Sequence, residues 1–176
     1  MIPHLVVDRW GARFAGRRFP CATGRGGIGV KGGEGDRVTP VGRHRIEAVL
    51  WRPDHGPRPR LGGGLAAAPI GPRDGWSDDP ADPAYNRRVR RPHPFRHEPL
   101  RRRDRLYDLV AVLDYNRHPA VPGGGSAIFL HFWRGPRRPT AGCIAFRRAD
   151  LAWILARWNP RSRVVVRSNE GKARRE

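Results

Sequence analysis

A histidine that precedes a glycine–cysteine pair is the part of the sequence best suited to chemistry. His131 lies in the apolar stretch SAIFLHFW, and Gly142-Cys143 follow after a loop rich in arginine and proline. A thiol nucleophile needs a base to take its proton, and a histidine does this at neutral pH. It also needs backbone N–H groups aimed at the oxyanion, which a preceding glycine helps to present. We therefore interpret Cys143 as a nucleophile and His131 as its general base.

The thiol needs activation to work at neutral pH. A free cysteine with a pKa near 8.5 is only about 3% thiolate at pH 7, and a pKa lower by about two units would make it mostly thiolate. His131 and the loop arginines Arg134, Arg137 and Arg138 are predicted to lower the pKa in this way. Taken singly, a cysteine in a β-rich domain is usually a small buried hydrophobe, so a structural role stays open. Cys21 has no preceding glycine and no nearby histidine, and we interpret it as structural.

Short strands and one helix must position these residues. The sequence predicts strands over 4–9, 43–52, 107–115, 126–133 and 163–167, with the stretch 107–115 as a central strand. In the strand 43–52, alternation places Ile46, Ala48 and Leu50 on one face. A helix over 150–158 is predicted from apolar residues at helical spacing, with Pro160 just beyond it. The segments 19–42, 53–75 and 75–105 are predicted to be loops, so the fold class is mainly β with a short helix near the C-terminus.

Length and composition indicate one domain. The chain has 176 residues, 38% of them hydrophobic, which is enough for a core. We predict a single domain over 1–168 and a charged, frayed tail over 169–176. No apolar run approaches the roughly 20 residues of a membrane helix. Two cysteines cannot build a disulfide-dense scaffold or a four-cysteine zinc site, and no metal or cofactor is expected.

The chain carries a large positive charge. Lys and Arg number 35 against 16 Asp and Glu, which gives a net charge of +19. A polyanionic partner, either nucleic acid or a cell-wall polymer, is one interpretation. The other is a genome that favours arginine codons, with solvated arginines scattered over the surface. No basic residues are interleaved with aromatic ones in a recognisable nucleic-acid motif, so a basic nucleic-acid-binding protein remains the alternative rather than the expectation.

Two separated motifs resemble those of one enzyme family. His131, Thr140, Gly142 and Cys143 are similar to the His, loop and Ser/Thr-His-Gly-Cys signature of the L,D-transpeptidases, the YkuD-type peptidoglycan enzymes. Lys31 with the run EGDRVTPVG over 34–42 resembles the family's lysine, Glu-Gly-Asp and Thr-Pro-x-Gly signature. The two blocks occur in the family's order, so the resemblance covers most of the chain.

The chain departs from the family pattern at two positions. Ala141 stands where the family has a histidine before the glycine, and Ala145 stands where it commonly has an arginine. The second change removes an expected contact to a substrate carboxylate. Arg137, Arg138 or Arg147 are the candidates to replace it.

The resemblance implies a YkuD-like β-sandwich and a mechanism. Cys143 attacks the carbonyl at the L-centre of diaminopimelate in a tetrapeptide stem, D-Ala leaves, and a thioester remains. The N–H groups of Gly142 and Cys143 hold the oxyanion, and a backbone carbonyl at or near Phe132 orients His131. An amine of a second stem then gives a 3→3 cross-link, whereas water gives an L,D-carboxypeptidase. The resemblance further implies acylation of the cysteine by carbapenems and needs no metal or cofactor.

Three other residues are candidates for substrate contact. Tyr115 and Asn116 end the central strand and are predicted to border the groove, although packing at a strand end fits them equally well. Trp76, together with Asp78, Tyr85 and Asn86, is predicted to form a lid; a self-packed surface loop is the alternative.

The resemblance and the first residues of the chain point in different directions on location. The resemblance implies work outside the cytoplasmic membrane on peptidoglycan stem peptides, yet the first residues lack the apolar core of a secretory signal. A monomer is the default expectation.

Papain-like peptidases carry the cysteine before the histidine in the chain, and the order here is the reverse.

Overall fold

The computed structural model describes residues 1–168, so the predicted tail over 169–176 lies outside the described residues. Within them the chain forms sixteen short strands and one helix. In chain order these are β1 (Leu5–Asp8), β2 (Gly11–Phe14), β3 (Arg17–Phe19), β4 (Cys21–Ala22), β5 (Ile28–Gly29), β6 (Thr39–Pro40), β7 (Gly42–His44), β8 (Ile46–Trp51), β9 (Ala67–Pro69), β10 (Asp74–Ser77), β11 (Arg88–Arg90), β12 (His97–Pro99), β13 (Leu109–Leu113), β14 (Phe129–Phe132), β15 (Ile144–Phe146), α1 (Arg148–Ala156) and β16 (Val164–Val166).

Two sheets pack face to face around the main core. One has the strand order β3-β2-β1-β16-β7, and the other has the order β4-β15-β14-β13-β8-β9. Their inner faces and the apolar side of α1 share one cluster of buried side chains. Its largest fully buried members are Phe14, Phe146, Leu5, Leu113, Leu130, Ile144, Leu151, Ile154 and Leu155. The predicted fold class, a mainly β sandwich with one short helix near the C-terminus, is confirmed.

Strand β13 lies in the middle of the six-stranded sheet, as predicted for the stretch 107–115. It pairs antiparallel with both β14 and β8. Leu109, Ala111 and Leu113 face the sandwich core, whereas Val110 and Val112 face a second apolar cluster. Burial on both faces explains why this strand is an uninterrupted apolar run rather than an alternating one.

A β-bulge overturns the alternation predicted for the strand 43–52. Ile46 pairs with Leu113 and Ala48 with Val112, so β8 has one extra residue at Glu47. The extra residue reverses which side chains face the core beyond it. Ile46 therefore shares the sandwich core with Val49, while Leu50 lies in the second cluster, and the prediction of one common face was wrong.

The segment 75–105 is not the irregular loop that the sequence predicted. It contains a three-stranded sheet with the order β11-β10-β12, which covers the second face of the six-stranded sheet. Trp76 of β10 packs edge-on against Phe129 of β14, with ring centroids 4.9 Å apart. Strands of three or four residues are too short to show an alternating pattern, and this is why the sequence did not reveal them.

Helix α1 agrees with its predicted apolar spacing. It begins at Arg148, and Leu151, Ile154 and Leu155 are fully buried against the sandwich. Asp150 in the first turn is paired with Arg147, which precedes the helix. Across residues 1–168, no helix has the length and apolar character needed to cross a membrane.

Candidate active site

Parallel pairing of two neighbouring strands brings His131 and Cys143 together. His131 lies on β14 and is paired with Ala145 of β15, and Cys143 immediately precedes β15. Both side chains line one cavity of about 750 Å³, together with Thr140. The register of the two strands therefore places the base and the thiol on the same cavity.

The imidazole of His131 is oriented by the backbone. Its Nδ1 lies 2.7 Å from the carbonyl oxygen of Phe132, and a donor at Nδ1 leaves Nε2 as the proton acceptor. Tyr107 packs edge-on against the ring, with centroids 5.3 Å apart. Burial lowers the pKa of His131 to about 4. The imidazole is therefore neutral at pH 7 and able to take a proton.

The thiol of Cys143 is buried and neutral. Its Sγ donates to the carbonyl of Ala127 at 3.1 Å and accepts from the N–H of Phe129 at 3.4 Å. Burial, reinforced by the nearby carboxyl of Glu98, raises the pKa of Cys143 to about 12. The expectation that His131 and the loop arginines would lower this pKa was wrong, because loss of water outweighs the positive charges.

The two groups are not a preformed ion pair. Within residues 1–168, the hydrogen bonds of the Cys143 thiol go to Ala127 and Phe129, and none joins it to His131. A neutral thiol beside a neutral imidazole suits general-base catalysis, in which the proton moves as the nucleophile attacks.

A tight turn precedes the nucleophile. The hydroxyl of Thr140 accepts the N–H of Gly142 at 3.1 Å and donates to the carbonyl of Cys143 at 2.6 Å. Gly142 has φ +139°, and a Cβ there would lie 3.0 Å from the carbonyl oxygen of Val38, so only glycine fits. Because its N–H is already bonded, Gly142 is not placed as the free oxyanion donor that the sequence predicted.

The N-terminal motif supports this turn from behind. The fully buried Thr39 hydroxyl accepts the N–H of Gly24 at 2.8 Å and donates to the carbonyl of Gly142 at 2.8 Å. The buried ammonium of Lys31 pairs with Asp36. The two sequence motifs are therefore parts of one structural unit that holds the residue before the nucleophile.

Replacing Thr39 with valine should destabilise this unit. The change keeps the shape but leaves the Gly24 N–H and the Gly142 carbonyl without their partner, which costs about 1–3 kcal/mol for each buried group. Urea unfolding would measure the lower free energy of unfolding. Thr23→Val is the matched control, since Thr23 is half-buried and contacts the turn through its backbone carbonyl, which accepts the Thr140 N–H at 3.0 Å. Equal stability of the two variants would contradict the bridging role.

The predicted arginines divide between different places. Arg138 lines the cavity with His131 and Cys143, as its predicted substrate-binding role requires. Arg137 faces a separate cavity beside Trp10 and donates to the Trp10 carbonyl at 3.2 Å. Arg147 is paired with Asp150. Of the three candidates to replace the missing family arginine, only Arg138 is at the site.

Trp76, Tyr115 and Asn116 do not line the cavity. Trp76 is buried in the second core cluster, and its indole N–H donates to the side-chain oxygen of Asn86 at 3.0 Å. Tyr115 donates to the carbonyl of Gly124, and the Asn116 amide donates to backbone carbonyls between 121 and 125. Tyr115 and Asn116 brace the loop up to residue 125 and Trp76 holds Asn86, so the predicted lid and groove border are not found there.

The cavity also contains residues that the sequence did not reveal. Glu98 of β12 and Tyr107 come from the region around the small three-stranded sheet. Arg37 lies inside the EGDRVTPVG motif, which was a usable signal; Glu98 and Tyr107 have no sequence signal of this kind. The arginines that line the cavity are Arg25, Arg37, Arg102, Arg134 and Arg138. In the described residues, no group of three or more His, Cys, Asp or Glu side chains is arranged to hold a metal ion.

Comparison with known proteins identifies the family. The family model described as YkuD, L,D-transpeptidase catalytic domain, matches residues 6–166. No curated protein and no solved structure matches the chain. The family match spans both sequence motifs, the sandwich and the cavity that contains Cys143. The chain therefore belongs to the YkuD family of L,D-transpeptidase catalytic domains.

Proposed function

We propose that the protein is a cysteine-nucleophile L,D-transpeptidase that forms 3→3 cross-links between peptidoglycan stem peptides. The observation that supports this most is the placement of His131 and Cys143 on one cavity, in the order and motif context of the family. The neutral imidazole oriented by the Phe132 carbonyl fits the role of general base.

The first half of the reaction forms a thioester. The Cys143 sulfur attacks the carbonyl at the L-centre of diaminopimelate in the donor stem, and the thiol proton passes to Nε2 of His131. The carbonyl oxygen becomes an oxyanion, for which the N–H of Cys143 is the proposed donor, since the Gly142 N–H is bonded to Thr140. The C–N bond to D-Ala breaks, and His131 returns the proton to the leaving amine.

The second half transfers the acyl group. An amine of a second stem attacks the thioester carbonyl, the new C–N bond forms, and the C–S bond breaks. His131 takes a proton from the attacking amine and gives it to the departing Cys143 sulfur. Water in place of the amine would release a tripeptide, which is L,D-carboxypeptidase activity.

The charge of the cavity fits an acidic donor. Stem peptides carry several carboxylates, and five arginines line the cavity. Guanidinium groups bind carboxylates in a two-pronged geometry. We propose that Arg138 and its neighbours take over the carboxylate contact that Ala145 cannot make.

We propose that the enzyme acts outside the cytoplasmic membrane, because the peptidoglycan polymer lies there. Cell fractionation with detection of the native chain tests this proposal. Recovery of the active protein only with the cytoplasmic fraction would contradict it.

Product analysis tests the proposed activity directly. The protein is incubated with diaminopimelate-containing tetrapeptide stems, and the products are separated and identified by mass spectrometry. Loss of D-Ala with dimers joined 3→3 is the expected result. Tripeptide without dimers would favour the carboxypeptidase alternative, and unchanged stems with folded protein would contradict both.

A further inference from the structure

Glu98 is an acidic side chain in a strongly cationic cavity. It lies on β12, half-buried, and faces the same cavity as His131 and Cys143. Among the described residues that line this cavity it is the only acidic one, against five arginines. Its acidic carboxyl group therefore contrasts with the cationic guanidinium groups that line the same cavity.

The carboxyl group of Glu98 forms no salt bridge in the described part of the chain, although the charge of Arg102 acts on it. Its two oxygens accept only the Tyr107 hydroxyl, at 3.2 and 3.4 Å. Arg102, whose charge partly offsets the burial that raises the pKa of Glu98, directs two hydrogen bonds of 2.9 and 2.7 Å to Asp104 instead. No salt bridge within residues 1–168 includes Glu98. A carboxyl that lines a reaction cavity without a salt bridge can accept hydrogen bonds from a cationic group of a ligand.

Glu98 is also close to the reacting groups. Tyr107, which donates to it, packs edge-on against the His131 ring with centroids 5.3 Å apart. The carboxyl is near enough to Cys143 to oppose ionisation of the thiol and so to raise its pKa. Glu98, Tyr107 and His131 are thus a contiguous part of the lining of the cavity that contains Cys143.

We propose that Glu98 binds the amine of the acceptor stem and directs the thioester toward transfer rather than hydrolysis. This inference rests on the proposed function, because it assigns a residue to the second half of that reaction. A protonated amine entering a cavity lined by guanidinium groups is repelled unless a carboxylate offsets them. Water has no charge and gains nothing comparable from Glu98, so the carboxylate discriminates between the two acceptors.

Each proton of the acceptor amine has a defined destination in the transfer step. The acceptor enters as R–NH3⁺, and Glu98 takes one proton to leave R–NH2. That amine attacks the thioester carbonyl, its second proton passes to Nε2 of His131, and collapse breaks the C–S bond. His131 then protonates the Cys143 sulfur, and Glu98 returns its proton to water. Burial raises the pKa of Glu98 to about 7, so the carboxyl exchanges a proton near neutral pH, as this step requires.

The competing interpretation gives Glu98 a structural role. In that case it would hold Tyr107 against His131 and would support both halves of the reaction equally. The two interpretations differ in one measurable quantity, the ratio of amide product to hydrolysis product at fixed amine concentration.

The experiment compares E98Q with the wild type in two assays. The first is the rate of Cys143 acylation by a tetrapeptide donor, measured by intact-protein mass spectrometry. The second is the ratio of 3→3 dimer to tripeptide as the acceptor stem is titrated. We expect acylation within about threefold of the wild type, a dimer-to-tripeptide ratio lower by about tenfold or more, and a raised acceptor KM. Glu47→Gln is the control, since Glu47 pairs with Arg117 and His118 and does not line the cavity.

Each other outcome overturns the inference. An unchanged ratio in E98Q means that Glu98 does not select the acceptor, and an equal fall in acylation and transfer means that it only supports His131. If E98Q does not fold, E98D replaces it in both assays. Aspartate keeps the carboxylate on a shorter side chain, so E98D should give a dimer-to-tripeptide ratio below that of the wild type but above zero. If the wild type forms tripeptide but no 3→3 dimer, it does not transfer to an amine, and the role proposed for Glu98 is refuted. Absence of acylation in the wild type would instead refute the proposed function.

Discussion

Replacing Cys143 with alanine is expected to abolish acyl-enzyme formation. Wild-type protein incubated with a carbapenem should gain the mass of one adduct, and Cys143→Ala should gain none. The physical reason is that, among the described residues that line the cavity with His131, Cys143 carries the one thiol, and a thiol is a stronger nucleophile than the hydroxyls there. Intact-protein mass spectrometry measures the result, and product analysis with stem peptides should show activity at the uncatalysed background.

The fold should survive this substitution. The thiol is hydrogen-bonded to Ala127 and Phe129, so its removal leaves buried backbone groups that cost about 1–3 kcal/mol. Circular dichroism and a thermal unfolding curve would show a cooperative transition at a lower midpoint. Loss of the transition would leave the activity result without meaning, and Cys143→Ser would then replace it.

Cys21 provides the matched control. It is also a buried free thiol, and burial raises its pKa to about 12, as for Cys143. It lies on β4, packed in the sandwich core, and does not line the cavity. Cys21→Ser should keep the adduct. An adduct that persists in Cys143→Ala and disappears in Cys21→Ser would identify the other cysteine as the nucleophile.

Removal of the His131 imidazole is expected to slow acylation by about 10²–10⁴-fold, the usual contribution of a general base. The loss should appear in the acylation rate constant, because the base acts as the sulfur attacks. His118→Ala is the control, since His118 is exposed and pairs with Glu47 outside the cavity. A loss under threefold in His131→Ala would mean that His131 is a packing residue only.

The pH dependence of acylation gives an independent check on His131. Its pKa is lowered by burial from 6.5 to about 4, so the imidazole stays neutral through the range in which an ordinary histidine becomes charged. The acid limb of the acylation rate should therefore have its midpoint near pH 4, and a midpoint near 6.5 would contradict the buried base.

The free energy of unfolding should also depend on pH through His131. Between pH 6.5 and about 4, the unfolded chain binds a proton at this position that the folded chain does not bind. The contribution of His131 to the free energy of unfolding is therefore complete above pH 6.5 and is lost as the pH falls toward 4. His131→Ala should show a weaker pH dependence of stability over this interval.

The sequence by itself determined the elements that depend on local pattern. The apolar stretch 107–115 predicted a central strand, and the spacing of Leu151, Ile154 and Leu155 predicted the helix that packs on the sandwich. The two motifs predicted the family, because glycine at a strained turn and threonine at a buried bridge are requirements that few other residues meet.

Only the tertiary structure decided how the site is charged and what surrounds it. The bulge at Glu47, the small sheet that carries Trp76, and the entry of Glu98 into the cavity all depend on pairing between distant segments. The direction of the pKa shift at Cys143 depends on burial, which opposed the effect of the arginines counted in the sequence. Residue types and spacing define candidates for chemistry, whereas solvent exclusion and proximity are properties of the folded chain.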